Sequence, residues 1–547
     1  MDSVTIGIPA FDAPPGTRTR KDIEKLSDEE LDTLVKAFDY IQKLPTDHPD
    51  SFFQIAGYHG MPFRGAGWGN PTWWGGYCNH GNILFPTWHR AYLLRLEEAL
   101  RTAPGCADFT MPFWNQLKKR TNKDDPKFLY TGSPPKVFLA RQWTWLTGPE
   151  KGTVIDNPLF SYKLGKSIVD NTSRATDVTN YSKGINYETV RYPFSGLVGV
   201  STKKKTEEHN RMLSEQGDDH TNGLLVKNVI NWLNLDKINN YNIDQFNAGI
   251  GNDLENCINA PNYTVFSNTT SAKAWNDDHM DEKNFKAAVS LEQPHNKIHL
   301  AVGGFEAPNQ SNYNQYPGAN GDMGENDTAS FDPIFFFHHC WIDNMFWQWQ
   351  TLHKATQQLD VKYDQDVGPD YPGTNSVDSQ GPTPGTPANV RLTLDSPLDP
   401  FTKEVNGGKD VTDITKLGYF YETIDVLHGA GWVSEKFGVT EIQTLAVTGA
   451  NRGKINGSFV ISTWGRDKET GKETLVGVEA VLSRWNVSGC SNCQNHLEAG
   501  GHVSLVGLSP ESADKFEFYS KIHTRKAPEG HVDDRVKVIL APNGAEN

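Results

Sequence analysis

The chain has 547 residues, 37% hydrophobic and 22% charged, a composition typical of soluble globular proteins that argues against wholesale disorder. Its formal net charge of −15 argues against a nucleic acid or an anionic membrane as the main partner. No apolar run reaches the roughly 18 residues of a membrane-spanning helix, and residues 1–20 lack the continuous apolar stretch of a signal peptide. The sequence therefore predicts a cytoplasmic protein.

Helices are predicted near the start of the chain. Ser27 to Glu30 reads as a capping box before apolar residues at helical spacing, and a second helix is predicted over residues 50–58. Residues 60–82 are rich in Gly, Trp and Asn and predict a structured loop. Pro86 then opens a strong amphipathic helix. Residues 110–285 alternate short apolar runs with polar stretches and predict few firm elements.

The second half of the chain moves from helical sequence patterns to extended and strand patterns. Two helices are predicted to open at Pro294 and at Pro333, and residues 364–415 are dense in Pro, Gly, Ser and Thr, which indicates an extended wrap or linker. After residue 426 the apolar pattern has period two, which indicates strands. The sequence thus predicts a mainly α domain built on a four-helix bundle, followed by a smaller β-rich, sandwich-like domain.

Most of the 17 histidines are expected to be ordinary surface or core residues. His295 and His299 are four residues apart, so on a helix both rings project from one face and can hold one metal ion. His338 and His339 lie in an aromatic helix, where a buried ring needs a metal or a hydrogen-bond partner. Asp343 is placed to orient His339, although a hydrogen-bonded core His–Asp pair fits the same spacing.

Three further histidines precede these: His59 at the end of a short helix, His80 in the loop and His89 in the first turn of the next helix. Together the two sets come from about four helices, which is how helical bundles build metal sites in their cores. Neutral imidazoles without a thiolate or carboxylate suit copper, and a pair of copper ions can supply two electrons to dioxygen. The alternative is a structural helical protein with incidental histidines.

Three segments carry a resemblance to a known family: HGNILFPTWHRAYLLRLEEAL, PHNKIHLAVGG and DPIFFFHHCWID. They resemble the copper signatures of the tyrosinase and polyphenol oxidase family of type 3 copper proteins, and the chain is most similar to fungal-type members with a C-terminal shielding domain. The resemblance implies two copper ions and makes His338 a neighbour rather than a ligand. The implied ligands are His59, His80 and His89 for the first copper, and His295, His299 and His339 for the second.

The resemblance also assigns residues around the copper ions. It implies a thioether between Cys78 and His80, with a buried free thiol as the alternative. It implies that Glu292 and Asn296 hold a water that takes the phenol proton. Because phenols have a pKa near 10, binding one as phenolate at neutral pH needs such a base. The two residues therefore favour monophenol hydroxylation. The alternative for Glu292 is an ordinary carboxylate at a helix N-terminus.

The end of the catalytic domain is marked by Ser396 to Phe401 and by the Tyr-x-Tyr motif ending at Tyr421, which resemble fungal tyrosinases. The implied domains are 1–425 and 426–547, the second covering the active site. Cys490 and Cys493, with His496 nearby, match a copper-relay motif of some shielding domains, with a disulfide or idle thiols as the alternative. Asn344 stands where many family members have an arginine. An aspartate–arginine contact usual in those members is therefore in doubt in this chain.

The resemblance implies a latent enzyme that uses dioxygen to hydroxylate monophenols and to oxidise catechols to o-quinones. Expected substrates are small phenols such as tyrosine, and expected products feed melanin or another pigment. A catechol oxidase without the hydroxylation step and a haemocyanin-like dioxygen carrier remain alternatives. A homo-oligomer and an activating protease are further expectations.

Overall fold

The structure is a computed structural model, and the part of the chain that it describes falls into a helical region and a β-rich C-terminal region. Within that part, no helix combines the length and the apolar character needed to cross a membrane. The described residues are 16–60, 76–121, 128–169, 182–196, 203–235, 249–308, 320–362, 373–374, 391–401, 405, 407–424, 441–455, 457–484, 487, 497–525 and 527–541.

The helices surround one large hydrophobic core. They are α1 Asp28–Lys43, α2 Phe52–Gly57, α3 Phe85–Arg101, α4 Lys203–Ser214, α5 Asp218–Leu233, α6 Ile250–Cys257, α7 Tyr263–Ser267, α8 Thr269–His279, α9 Glu292–Gly303, α10 Ile334–Leu352 and α11 Pro510–Ala513. Short 3-10 turns cover Ile23–Lys25, Lys136–Phe138, Asp322–Gly324, Ala329–Phe331, Gly408–Val411 and Arg452–Lys454. The predicted capping box of Ser27 and Glu30 opens α1. Helix α10 is buried from Ile334 to Gln350, as its aromatic sequence requires.

The prediction of few firm elements over residues 110–285 was wrong in its second half, where the structure has α4 to α8. These helices are too polar to show a clear apolar stripe: α4 buries only Thr206, His209 and Leu213 of its 12 residues. Two of them are defined by caps, because the side chains of Asn262 and Asn268 accept hydrogen bonds from the first turns of α7 and α8.

Small sheets frame the helical region. Strand β1 (Arg18–Arg20) pairs in parallel with β8 (Tyr419–Tyr421), so the two ends of this region are joined. Three two-stranded sheets lie between them: β2 Lys119–Thr121 with β3 Phe128–Tyr130, β4 Gln142–Thr144 with β5 Val154–Asp156, and β6 Ile168–Val169 with β7 Ser182–Lys183.

Two antiparallel sheets form the C-terminal region, with strand orders β11-β10-β13-β14 and β12-β9-β15. Phe459 and Ile461 share a hydrophobic cluster with Val447 of the other sheet, as in a sandwich. The opposite face, including Val460, joins the core of the helical region. The predicted fold class is confirmed, whereas the predicted boundary near residue 425 lies outside the described residues. The strands are β9 Ile442–Asn451, β10 Phe459–Asp467, β11 Glu473–Val481, β12 Glu498–Val506, β13 Phe516–His523, β14 His531–Val532 and β15 Lys537–Leu540.

Candidate metal centre

Seven buried histidines meet in the core of the helical region as two adjacent groups, within each of which the ring nitrogens lie within 4.8 Å of one another. The rings come from the end of α2, the loop before α3, and helices α3, α9 and α10. Across the two groups, the rings of His89 and His339 stack with their centroids 4.5 Å apart. The first group is His59, His80 and His89, and the second is His295, His299, His338 and His339.

Main-chain carbonyls orient three of these rings. The Nδ1 atom of His89 lies 2.8 Å from the carbonyl oxygen of Phe85, one turn earlier in α3. The Nδ1 atoms of His59 and His299 lie 3.2 and 2.8 Å from the carbonyl oxygens of Asn326 and Met323. Because a carbonyl can only accept, Nδ1 carries the proton in each ring, and the lone pair of Nε2 faces its group.

The second group has the spacing expected around a metal ion. The Nε2 atom of His339 lies 3.2 Å from that of His295 and 3.4 Å from that of His299. Asn296 Oδ1 accepts from His295 Nδ1 at 3.0 Å, so the lone pair of His295 also points inward. Two nitrogens bound to one metal at about 2.0–2.1 Å in tetrahedral geometry lie about 3.3 Å apart. The nitrogens therefore converge as metal ligands do.

The electrostatics keep the rings in the form that binds metals. Burial lowers the pKa of His89 to about 3 and that of His299 to about 4, and it lowers the pKa values of the other rings well below their ordinary range. Neutral imidazole has a lone pair to donate, whereas imidazolium does not. The groups contain no carboxylate and no thiolate, and this donor set fits copper.

His338 differs from its neighbour His339. The side-chain amide of Gln116 is hydrogen-bonded to His338 Nδ1, with 2.8 Å between Gln116 Nε2 and the ring nitrogen. Its ring also stacks on that of His295, with centroids 5.3 Å apart. His338 thus packs against the second group through a ring whose Nδ1 is already bound to Gln116.

The chain matches the profile of the common central domain of tyrosinase over residues 49–352, more than half of its length. The chain belongs to the tyrosinase family. It is 44% identical over 534 residues to a tyrosinase of Aspergillus oryzae, covering 93% of this chain and 94% of that one. It superposes on a tyrosinase of Burkholderia thailandensis with a TM-score of 0.77 and 36% identity, covering 96% of this chain and all of that one. A holo-protyrosinase of Aspergillus oryzae shares the fold, with a TM-score of 0.60 and 18% identity over 98% of this chain and 94% of that one.

Membership of the tyrosinase family makes the chain an oxidase of phenols and catechols with a type 3 dicopper centre, as the resemblance implied. The fungal protyrosinase has the same two-part architecture, a helical region and a β-rich C-terminal region. The ring nitrogens of the two histidine groups are the candidate donors for this centre.

Glu292 lies beside the loop that contains His80. Its carboxylate accepts hydrogen bonds from the backbone N–H of Gly81 at 2.9 and 3.1 Å and from the N–H and hydroxyl of Thr269 at 2.9 and 3.1 Å. Burial raises its pKa, against the opposing effect of these hydrogen bonds. Glu292 therefore holds the residue after His80 in place, which the sequence did not indicate.

Cys78 is buried, with only 4% of its surface exposed. Asn326 Nδ2 and Arg484 Nη2 lie 3.8 and 3.5 Å from its sulfur. Arg484 comes from the C-terminal sandwich, so this sandwich reaches the edge of the first histidine group. Cys490 and Cys493, predicted as a copper relay, lie outside the described residues, as does His496.

The role predicted for Asp343 was wrong. Its carboxylate is bound by four groups, none of them a histidine among the described residues, so it cannot orient His339. The four donors are Arg90 Nε at 2.5 Å, Arg20 Nη1 at 3.1 Å, Tyr419 OH at 2.7 Å and Tyr421 OH at 2.5 Å. Asp343 thus contacts two arginines, although position 344, where many family members have an arginine, is Asn344.

Proposed function

We propose that His59, His80 and His89 bind one copper ion and that His295, His299 and His339 bind the second. The observation that carries the proposal is the convergence of the oriented Nε2 atoms, 3.2 and 3.4 Å apart in the second group. The pair of copper ions supplies the redox chemistry with dioxygen. His338 is left out of the second triplet because its Nδ1 is bound to Gln116 and because the family signature gives the ligand as the second histidine of the doublet.

We further propose that the enzyme hydroxylates monophenols such as tyrosine in addition to oxidising catechols. Glu292 and Asn296 would hold the water that accepts the phenol proton, since phenols keep their proton near neutral pH. Among the described residues, Oε1 of Glu292 accepts a hydrogen bond from Gly81, and it can accept another from such a water. The product o-quinones would feed melanin or a similar pigment.

The sandwich supports a latent state of this enzyme. The six proposed ligands are at most 9% exposed, and Arg484 of the sandwich lies 3.5 Å from the sulfur of Cys78 beside the first triplet. We propose that residues 426–547 form the shield and that residues 1–425 form the catalytic domain. Displacement or proteolysis between them would expose the copper site.

Two cysteine sites complete the proposal. A thioether from Cys78 would pin His80, which no helix supports, and the buried sulfur lies two residues away in the chain. Cys490 and Cys493 would pass copper to the catalytic domain, because soft thiolates bind Cu(I). Mass spectrometry of a peptide spanning both Cys78 and His80 would show the thioether as a loss of two hydrogens.

The decisive experiment measures copper per chain together with the turnover of tyrosine and of a catechol, before and after limited proteolysis near residue 425. We expect two copper ions per chain, low turnover of the intact chain, and turnover of both substrates after cleavage. Turnover of the catechol alone would identify a catechol oxidase. Reversible dioxygen binding without any turnover would identify a carrier, and fewer than two copper ions would reject the dicopper assignment.

Replacing Glu292 by Gln tests the proton acceptor. The amide keeps the shape of the side chain and an oxygen for Gly81 N–H, but it is a much weaker base than a carboxylate. We expect the rate of tyrosine hydroxylation to fall by about 100-fold, the lower end of what general-base catalysis contributes, with a much smaller effect on catechol oxidation. Initial rates of the cleaved enzyme with both substrates measure this.

The matched control is Thr269→Val, which removes one hydrogen bond to the same carboxylate and leaves its charge. It should affect both substrates little and equally. If Glu292→Gln slows both substrates to the same extent, Glu292 only holds the His80 loop and is not the proton acceptor.

A further inference from the structure

Residues 323–327, named here the bridging segment, face the metal centre with two of their main-chain carbonyls. The Met323 carbonyl accepts from His299 Nδ1 at 2.8 Å, and the Asn326 carbonyl accepts from His59 Nδ1 at 3.2 Å. His59 belongs to the first proposed triplet and His299 to the second. One short stretch of backbone therefore orients a ligand of each metal ion.

The remaining residues of the bridging segment bind the C-terminal sandwich. Ser458 donates a hydrogen bond to the Gly324 carbonyl at 2.7 Å. Glu325 forms an ion pair with Arg525, and Asp327 forms one with Arg484. Three residues of the segment thus contact the sandwich, and the two between or beside them contact the histidines.

Burial makes these ion pairs strong restraints. Arg484 and Arg525 are only 3% and 4% exposed, and a buried charge keeps its partner because separation would leave both without solvation. Arg484 also donates to the sulfur of Cys78 at 3.5 Å. Arg484 consequently links the sandwich to both Asp327 and Cys78, which lie next to residues of the first triplet in the structure or the chain.

The bridging segment is also closely packed against the helical region. A Cβ atom at Gly60, directly after His59, would overlap the backbone of Asn326 and Asp327. A Cβ atom at Gly303, at the end of α9, would overlap the backbone of Gly324. Any shift of the segment is therefore transmitted to the backbone beside His59 and to the helix that carries His299.

We propose that Arg484 and Arg525 are positioning residues for the dicopper centre: they hold the bridging segment so that its carbonyls orient His59 and His299. The inference rests on the proposed copper ligands and gives the sandwich, in the latent full-length chain, a second role besides covering the site. Residues that orient metal-bound histidines typically contribute 10- to 100-fold to metal affinity. A weaker hold on the segment should therefore weaken copper binding itself.

The test uses the full-length chain loaded with copper. Variants Arg484→Gln, Arg525→Gln and their combination are titrated with the chelator EDTA, and the copper remaining per chain is measured. We expect the combined variant to bind copper up to about 10-fold more weakly than wild type, the lower end of the loss for groups that bind a ligand directly, because the arginines act through the segment. Backbone hydrogen exchange of peptides spanning residues 320–332 should rise in parallel.

Matched controls separate positioning from general loosening of the sandwich. Thr444→Val and Ser504→Ala remove contacts of the sandwich to Phe285 and Ala287, which do not involve the bridging segment. Combined, they should leave copper affinity at the wild-type value. Arg484→Lys, which keeps the charge opposite Asp327, should recover part of the affinity. Should the arginine variants fail to fold, Ser458→Ala removes only one hydroxyl and should still weaken copper binding by a smaller factor.

Wild-type copper affinity in the arginine variants and in Ser458→Ala would overturn the inference. Equal weakening by the Thr444 and Ser504 controls would overturn it as well, because the effect would then not depend on the bridging segment. A wild-type chain that binds fewer than two copper ions would instead reject the proposed function. The two failures are thus distinguishable.

Discussion

Replacing His339 by Gln is expected to reduce copper binding from two ions to one per chain and to abolish catechol oxidation. The Nε2 atom of His339 lies within 3.4 Å of those of both His295 and His299, so its loss opens the second triplet. A single copper ion exchanges one electron, whereas oxidation of a catechol to an o-quinone removes two. We expect the rate to fall by roughly 1,000-fold or more, beyond the 10- to 100-fold typical of residues that only orient a ligand.

His338→Gln is the matched control, because His338 is adjacent in the same buried helix but is bound to Gln116 through Nδ1. This variant should retain two copper ions and most of its activity. Elemental analysis and catechol oxidation by the cleaved enzyme measure both quantities. Loss of one copper in His338→Gln together with retention of both in His339→Gln would reverse the ligand assignment.

The sequence predicted the metal-centre candidates because their spacing is local. His295 and His299 are separated by one helical turn, and the aromatic surroundings of His338 and His339 require a partner for any buried ring. Such patterns follow from helix geometry and are visible in one chain. They do not give the distance between helices, so the adjacency of the two groups was implied only by the family resemblance and is seen in the structure.

The groups that orient the rings could not be predicted in this way. The carbonyls of Met323 and Asn326 carry no side-chain signal, because every residue has a carbonyl. Arg484 lies about 400 residues from Cys78 in sequence, and nothing in the local pattern joins them. Contacts of this kind depend on how the sandwich docks, which is a tertiary property.

The helices likewise divide into those with a local sequence signal, which were predicted, and those without one, which were not. Helix α1 was predicted from its capping box and α10 from Pro333 at its start, and both signals act within one or two turns. Helix α4 is polar on most of its surface and gives no comparable signal, since few of its residues face the core. The strands β10 and β11 were visible through their period-two pattern, whereas their packing against the helical region was not.

Asp343 illustrates how a correct spacing leads to a wrong partner. It follows His339 by four residues and shares its helix face, but α10 is buried on all sides, so other elements compete for the carboxylate. Arg90 from α3 and Arg20 from β1 take it, because two buried guanidinium groups need a counter-charge. Two tyrosine hydroxyls complete the set.

We therefore expect Asp343→Asn to destabilise the helical region strongly. Removing the charge leaves Arg90 without a carboxylate partner in the core, and breaking a buried ion pair on one side typically costs about 3–5 kcal/mol. Calorimetry should show a melting temperature several degrees lower than that of wild type. The control Tyr421→Phe removes one hydrogen bond to the same carboxylate, keeps the charge, and should cost about 1.5 kcal/mol.

The effect has a defined pH dependence. Burial alone would raise the pKa of Asp343, but the charges of Arg90 and Arg20 outweigh it and hold the pKa below its ordinary value of about 3.9. The carboxylate thus contributes stability above about pH 4, and the contribution is lost as pH falls through the lowered pKa. The difference in melting temperature between wild type and Asp343→Asn should be constant from about pH 5 to 7 and shrink below about pH 4. An unchanged melting temperature together with weaker copper binding would instead show that Asp343 acts on His339.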